Sequence, residues 1–191
     1  FRRLGMSGLD ILSAVAGDLA RRLGDEGGAF ELPAFVKTMV ERGLVGVKTG
    51  RGFYQRVKTG DDSKIVTLDL ATFEYREASA AKLPGLEAIR AIGGTGPRIR
   101  ALLLSKDRAG DLLRRTLGAT LVYAAAIAPE IAQSIDDVDR AMRWGFGWEL
   151  GPFETWDAIG VEPMAKQFEK EGKALPPVVA QLLSSGKKSF Y

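Results

Sequence analysis

Two cations, Lys48 and Arg51, stand in the glycine-dense stretch Gly43-Leu-Val-Gly46-Val-Lys48-Thr49-Gly50-Arg51-Gly52-Phe53-Tyr54. Backbone N–H groups beside cations can hold a phosphate. The same residues also suit a solvated turn whose end is pinned by two aromatics. Further along, Trp144, Phe146, Trp148, Phe153 and Trp156 gather all three tryptophans within thirteen residues. Such a group can line an apolar pocket for an acyl chain, and it equally suits a packing or interface cluster. Asp136, Asp137 and Asp139 form one set of carboxylates, and Glu149, Glu154 and Asp157 another. At helical spacing Asp136 and Asp139 share a face while Asp137 points away. Acids at a helix start are favoured by the helix dipole, and a hard metal needs more oxygen ligands than this. Paired carboxylates can also do glycosidase chemistry.

The 191 residues contain no Cys and no His. A disulfide framework, a thiol nucleophile, a zinc finger and a Ser-His-Asp triad are therefore excluded within them. The 27 Lys and Arg against 24 Asp and Glu leave +3, spread along the chain in mixed sign. A nucleic-acid partner calls for a concentrated basic face, so none is expected. No uncharged apolar run reaches the ~18 residues of a membrane span. Gly93-Gly94-Thr95-Gly96 lacks the Gly-Lys-Ser/Thr of a phosphate loop and reads as a turn. No Gly-x-Gly-x-x-Gly follows a strand, so there is no dinucleotide fingerprint. The chain opens on Phe1 with no signal peptide after it; we expect a piece of a longer, cytoplasmic protein.

The elements that would carry these residues are mostly helical. Apolar residues at Leu12, Val15, Ala16, Leu19 and Leu23 predict a helix over Leu9 to Leu23, broken by Gly24 to Gly28. Pro33 opens a second helix bearing Phe35, Val36, Met39 and Val40, and Gly43 ends it. Lys58 to Ser63 reads as a polar linker. Ile65 to Leu70 alternates and Thr72 to Arg76 leans β, which together predict a small hairpin. Pro84 to Ala91 is a short helix. Pro97 to Ala128 reads as two helices split near Ser105, with Asp107 capping the second and Pro129 interrupting. Ser134 caps a helix running to Trp144, with Gly145 just past its end. Pro152 to Gly160, Glu162 to Glu171 and Pro176 to Ser185 complete the set.

The chain also repeats itself. Phe1 to Leu9 aligns with Phe153 to Val161, Leu32-Pro33-Ala-Phe-Val36 with Leu175-Pro176-Pro-Val-Val179, Gly43 with Gly186, and Phe53-Tyr54 with Phe190-Tyr191. The order is kept and the second copy has shorter connections.

Two stretches resemble one family. Lys48-Thr49-Gly50-Arg51-Gly52-Phe53-Tyr54 resembles the Lys-[Ser/Thr]-Gly-x-Gly-Phe-Tyr signature of 3-hydroxyacyl-CoA dehydrogenase C-terminal domains. Asp139-Arg-Ala141-Met142, Gly145-Phe-Gly147 and Gly151-Pro152-Phe153-Glu154-Thr-Trp-Asp157 resemble the same family's second motif. The Gly-Phe-Gly-Trp-Glu-Leu version is similar to the long bacterial enzymes that join a dehydrogenase to an enoyl-CoA hydratase-like portion. The resemblance implies a mainly α fold of the 6-phosphogluconate dehydrogenase C-terminal type, in tandem, with a small β-hairpin insert. Residues 1–57 would be a partial first domain, 58–83 the linker and hairpin, and 84–191 the second domain.

The resemblance also implies a division of labour in fatty-acid β-oxidation. An upstream Rossmann domain binds NAD and supplies a His–Glu pair; the helical domains close the acyl-CoA cleft and make homo-oligomer or pseudo-dimer contacts. The parent would be the enzyme and this portion, which holds no catalytic, cofactor or metal residue, inactive by itself. The loop Lys48 to Tyr54 becomes a substrate-loop or packing motif, and Trp144, Trp148, Phe153 and Trp156 an interface or packing cluster. The second copy departs from the signature, keeping only Gly186-Lys-Lys-Ser-Phe190-Tyr191. Copy one lacks its first helices, to be completed by copy two, by oligomerisation, or not at all. Two rival readings stand beside this one. The first is a non-enzymatic helical scaffold. The second is an acyl-CoA-binding module that uses Lys48 and Arg51.

Overall fold

The computed structural model describes residues 2–24, 28, 30–60, 62–79 and 82–191. The chain divides into two compact units, Phe1–Ala81 and Lys82–Tyr191.

The first unit opens with α1 (Arg2–Ser7), α2 (Leu9–Arg22) and α3 (Ala34–Glu41). Asp10 in the first turn of α2 and Arg21 and Arg22 in its last turn complement the helix dipole. A short 3₁₀ turn, Val47–Thr49, leads into a three-stranded antiparallel sheet: β1 (Tyr54–Thr59), β2 (Asp62–Leu68) and β3 (Tyr75–Glu77). Tyr54 stands opposite Thr67 and Thr59 opposite Asp62; Leu68 stands opposite Tyr75. The expected hairpin is therefore β2 with β3, and β1 is an addition to it. The expected polar linker at 58–63 is instead the tip of the β1–β2 hairpin. Its polar residues are strand residues because both faces at the tip meet solvent, so no alternation marks them. Leu68 joins Leu9, Val36, Met39, Leu44, Val45 and Phe53 in the unit's core, and Val66 is buried as well.

The second unit contains α4 (Pro84–Ala88), α5 (Thr95–Leu103), α6 (Arg108–Leu113), α7 (Ala119–Ile131), α8 (Ile135–Phe146), α9 (Pro152–Ile159), α10 (Val161–Lys170) and α11 (Pro177–Ser184). A single π turn, Arg114–Gly118, joins α6 to α7. Asp107 caps α6 as expected, its carboxylate accepting from Gly110 N at 3.0 Å. Three boundaries differ from the sequence reading. Helix α5 starts inside the expected turn, at Thr95, because Gly94 takes the positive-φ entry and Pro97 sits in the first turn, where its missing N–H costs little. Pro129 lies within α7 rather than ending it; tertiary packing of Leu121, Ala125 and Ala128 holds the helix through it. Helix α8 runs to Phe146, and Gly147 rather than Gly145 takes the left-handed terminal position. The core gathers Leu103, Leu121, Phe153, Trp156, Ile159, Val161, Met164, Phe168, Val179 and their neighbours.

At three aligned positions of the sequence repeat the backbone angles match. Gly8 precedes α2 with φ 95° and ψ 128°, and Gly160 precedes α10 with φ 96° and ψ 118°. Pro33 enters α3 at −54° and 145°, and Pro176 enters α11 at −58° and 143°. Gly43 and Gly186 both have positive φ, 68° and 76°. Each aligned pair takes the same backbone turn at a helix boundary. The aligned pair Phe1 and Phe153 cannot be compared, because Phe1 lies outside the described residues, as do residues 25–27 of the expected break.

Candidate functional site

The glycine-dense loop is built on α1 and the start of α2. Gly46 has φ 123°, and a Cβ there would collide with the Gly5 carbonyl. Gly46 N donates to Arg51 O at 2.9 Å, and Leu9 N donates to Val45 O at 2.9 Å. The Thr49 hydroxyl donates to Arg51 O at 3.0 Å, closing the turn on itself. Lys48 Nζ reaches Asp10 Oδ2 at 2.6 Å. That hydrogen bond holds the Asp10 carboxyl below its ordinary range. Lys48 is thus paired with α2, while both it and Arg51 are exposed. Phe53 is buried edge-on against Phe35, 6.4 Å between ring centroids. The Tyr75 hydroxyl, which burial pushes up in pKa, donates to Gly52 O at 2.7 Å. Gly5, Met6, Val47, Tyr54, Arg56 and Ile65 are among the residues lining an open cavity of about 460 Å³ beside this loop. Sequence reading found the loop but neither Asp10 nor the wall formed by Met6 and Ile65, which sequence spacing does not bring near it.

In the second unit the loop's counterpart is held differently. The Asp157 carboxylate accepts from Phe190 N at 2.7 Å and from Tyr191 N at 3.0 Å. Its repeat partner is Gly5, which has no side chain to do this. Asp139 is buried. Its carboxylate accepts from Phe153 N at 2.8 Å and Glu154 N at 2.9 Å, and the Tyr191 hydroxyl donates to it at 2.9 Å. Burial raises the Asp139 pKa against those hydrogen bonds, and burial beside Asp139 raises that of Tyr191. Glu154 returns to accept from Gly151 N at 2.7 Å and pairs with Arg143 at 2.9 Å. The carboxylate set Asp136, Asp137 and Asp139 thus divides. Asp136 and Asp137 pair with Arg140, while Asp139 caps α9 from a neighbouring helix. Among the described residues no three acids are arranged to hold a metal ion.

The aromatic group divides. Phe153 and Trp156 are fully buried; Phe153 stands edge-on to Phe190 at 4.9 Å and Trp156 to Phe168 at 5.8 Å. The Trp156 indole N–H donates to Leu121 O at 3.3 Å. Trp144 and Phe146 are exposed at the end of α8, and Trp148 is half-buried in a small cavity with Thr95, Ile99 and Leu117.

The C-terminal domain of 3-hydroxyacyl-CoA dehydrogenase matches residues 110–188. A probable 3-hydroxyacyl-CoA dehydrogenase of Bacillus subtilis (strain 168) is 42% identical over the whole of this chain and 24% of its own length. The chain belongs to the 3-hydroxyacyl-CoA dehydrogenase family. A putative fatty acid oxidation complex trifunctional enzyme of Rickettsia felis is 26% identical over 61% of the chain and 15% of its own length. The mitochondrial hydroxyacyl-coenzyme A dehydrogenase of Sus scrofa is 35% identical over 30% of the chain and 18% of its own length. The chain therefore spans about a quarter or less of these relatives. NAD-binding folds hold the pyrophosphate at a glycine-rich turn between a parallel strand and a helix. The sheet among the described residues is antiparallel, so these residues do not fit that cofactor. No helix among them is long and apolar enough to cross a membrane.

Proposed function

We propose that the chain is the tandem helical C-terminal part of an NAD-dependent, cytoplasmic 3-hydroxyacyl-CoA dehydrogenase. The parent would oxidise 3-hydroxyacyl-CoA to 3-oxoacyl-CoA in fatty-acid β-oxidation. The observation that carries the reading is the 42% identity to a probable dehydrogenase across both units, with the family's domain on 110–188. Residues 1–57 are read as a partial first domain, 58–83 as linker and hairpin, and 84–191 as the second domain. The matched dihedrals at Gly8 and Gly160 support that pairing. NAD supplies the hydride acceptor in the upstream Rossmann domain. This chain has no His to act as a general base near neutral pH, so its own part is to close the acyl-CoA cleft and make subunit contacts.

The test is an NADH-absorbance assay on the full-length parent and on this portion. Activity in the parent alone is expected. Activity in the portion, or in neither, overturns the reading; the second outcome favours a non-enzymatic scaffold. An acyl-CoA-binding role for the loop has Arg51 in its favour, because Lys48 is already paired with Asp10. Under that role, Arg51→Ala in the parent raises KM for acyl-CoA and leaves kcat unchanged.

A further inference from the structure

In the repeat, α3 and α11 align without a gap. Each has eight residues, Pro33 and Pro176 precede them, and Arg42 and Ser185 end them at φ and ψ of −83°, 2° and −77°, 0°. The inward residues agree as well: Val36 and Met39 are buried in the first unit, Val179 and Leu182 in the second. What lies over the two helices differs. In the first unit the β2–β3 hairpin packs beside the end of α3 and the Phe53 loop. The Arg42 guanidinium stands 4.6 Å from the centre of the Phe73 ring, Leu68 N donates to Phe53 O at 2.9 Å, and the Tyr75 hydroxyl donates to Gly52 O at 2.7 Å. Leu68 is part of the core that holds Met39 and Phe53, and Phe73 and Tyr75 pack against it. In the second unit the same positions border a groove. Val178, Leu182, Ser185 and Phe190, the counterparts of Phe35, Met39, Arg42 and Phe53, line an open cavity of about 320 Å³ with Ile135 and Lys187. Its floor is apolar. Lys187 is exposed, and it stands where the first unit buries Leu44.

We propose that this groove is covered, in the full-length protein, by a segment of the same polypeptide that follows Tyr191 and carries apolar side chains flanked by a carboxylate. The place in the chain follows from the first unit. There the covering strands are the stretch directly after Phe53-Tyr54, and Phe190-Tyr191 is the copy of that pair. The chemistry follows from the groove. Ile135, Val178, Leu182 and Phe190 offer a floor for side chains of the kind that Leu68, Phe73 and Tyr75 supply to the first core. Lys187 in place of Leu44 calls for an acidic group beside them, since opposite charges across a contact fix its register. The hairpin of a second copy is not free for this role, because its Phe73 and Tyr75 are engaged with their own Arg42 and Gly52. The Bacillus subtilis relative matches the whole of this chain with only 24% of its own length, so proteins of this type have sequence to supply the segment.

The covering segment rests on the tandem-copy reading, and its test does not use catalysis. In the full-length protein, Ser185→Cys and, as an exposed control, Ser63→Cys are labelled with a maleimide and followed by peptide mass spectrometry. A covered thiol reacts only when the cover opens, so labelling at position 185 about ten-fold slower than at position 63 is the expected result. The protection should be the same at high and low protein concentration and without added acyl-CoA. In the unsubstituted protein, carbodiimide should join Lys187 to an Asp or Glu of the stretch after Tyr191. Equal labelling rates overturn the proposal. Protection lost on dilution assigns the groove to a second copy, and protection gained only with acyl-CoA assigns it to a ligand; each overturns the proposal too. Lys187 cross-links confined to residues 1–191 or to sequence before Phe1 overturn it as well, as does their absence. The cross-linking uses the native sequence, so it decides the matter even where Ser185→Cys fails to fold. Dehydrogenase assays on the same samples separate the two failures: an active protein with fast labelling loses the cover alone, and an inactive one with slow labelling loses the enzymatic reading alone.

Discussion

Asp139 is buried among a helix N-terminus and a tyrosine, and it shows how a charged group can be kept inside. Two backbone N–H groups and one hydroxyl satisfy its oxygens. Removing it leaves the Phe153 and Glu154 N–H groups buried without their acceptor. Asp139→Ala should cost about 3 kcal/mol in urea unfolding, against about 1 kcal/mol for Tyr191→Phe, which leaves both N–H bonds in place. Acid should act through other groups. Asp10 is held below its ordinary pKa by Lys48, and Asp107 by Gly110 N, Ser105 and Gly85 N. A carboxylate depressed in the folded state contributes stability that is present above its unfolded pKa and lost as pH falls through the folded value. Thermal stability should therefore decline below the ordinary carboxylate range, and Asp107→Asn should flatten that decline in a pH series of melts. Asp139, whose pKa is raised, has the opposite sign: its own contribution falls as pH rises above the unfolded value.

At the scale of elements, the glycine-rich loop and the repeat turns carry the strongest constraint. Gly46 combines positive φ with backbone contact at Gly5, so neither rotamer choice nor side-chain movement relieves a substitution there. Gly46→Ala should displace the loop from α1 and expose Phe53. The readouts are a lowered melting temperature of the first unit and faster proteolysis near Arg51 and Arg56. Much at this scale was legible in sequence: Gly8, Pro33 and Gly43 each mark a turn that their copies Gly160, Pro176 and Gly186 repeat. Strand β1 was not legible, because its exposed residues Arg56, Lys58 and Thr59 carry no apolar alternation. Nor was the passage of α7 through Pro129, since propensity predicts a stop and only packing on α9 and α11 overrides it.

At the scale of the whole molecule, two units with separate cores should report separately. All three tryptophans lie in the second unit, so indole emission reads that unit alone while far-ultraviolet dichroism reads both. Met39 is fully buried in the first core. Met39→Ala should lose about 3 kcal/mol, moving the dichroism transition while the emission midpoint stays in place. A common shift of both signals would show that the units unfold as one.

The sequence by itself determined the helical class and the family, because helix periodicity, turn glycines and short motifs are local signals that survive without knowing what touches what. It also excluded histidine and thiol chemistry from these 191 residues by composition alone. Only the tertiary structure decided which acid does which work: Asp136, Asp137 and Asp139 look alike in sequence, yet one is buried as a cap for α9 and two pair with Arg140. The same holds for the aromatics, of which Trp156 fills the core while Trp144 faces solvent. Burial and partnership depend on contacts between residues far apart in the chain, such as Asp157 with Tyr191 and Lys48 with Asp10, and those distances are set by packing rather than by spacing.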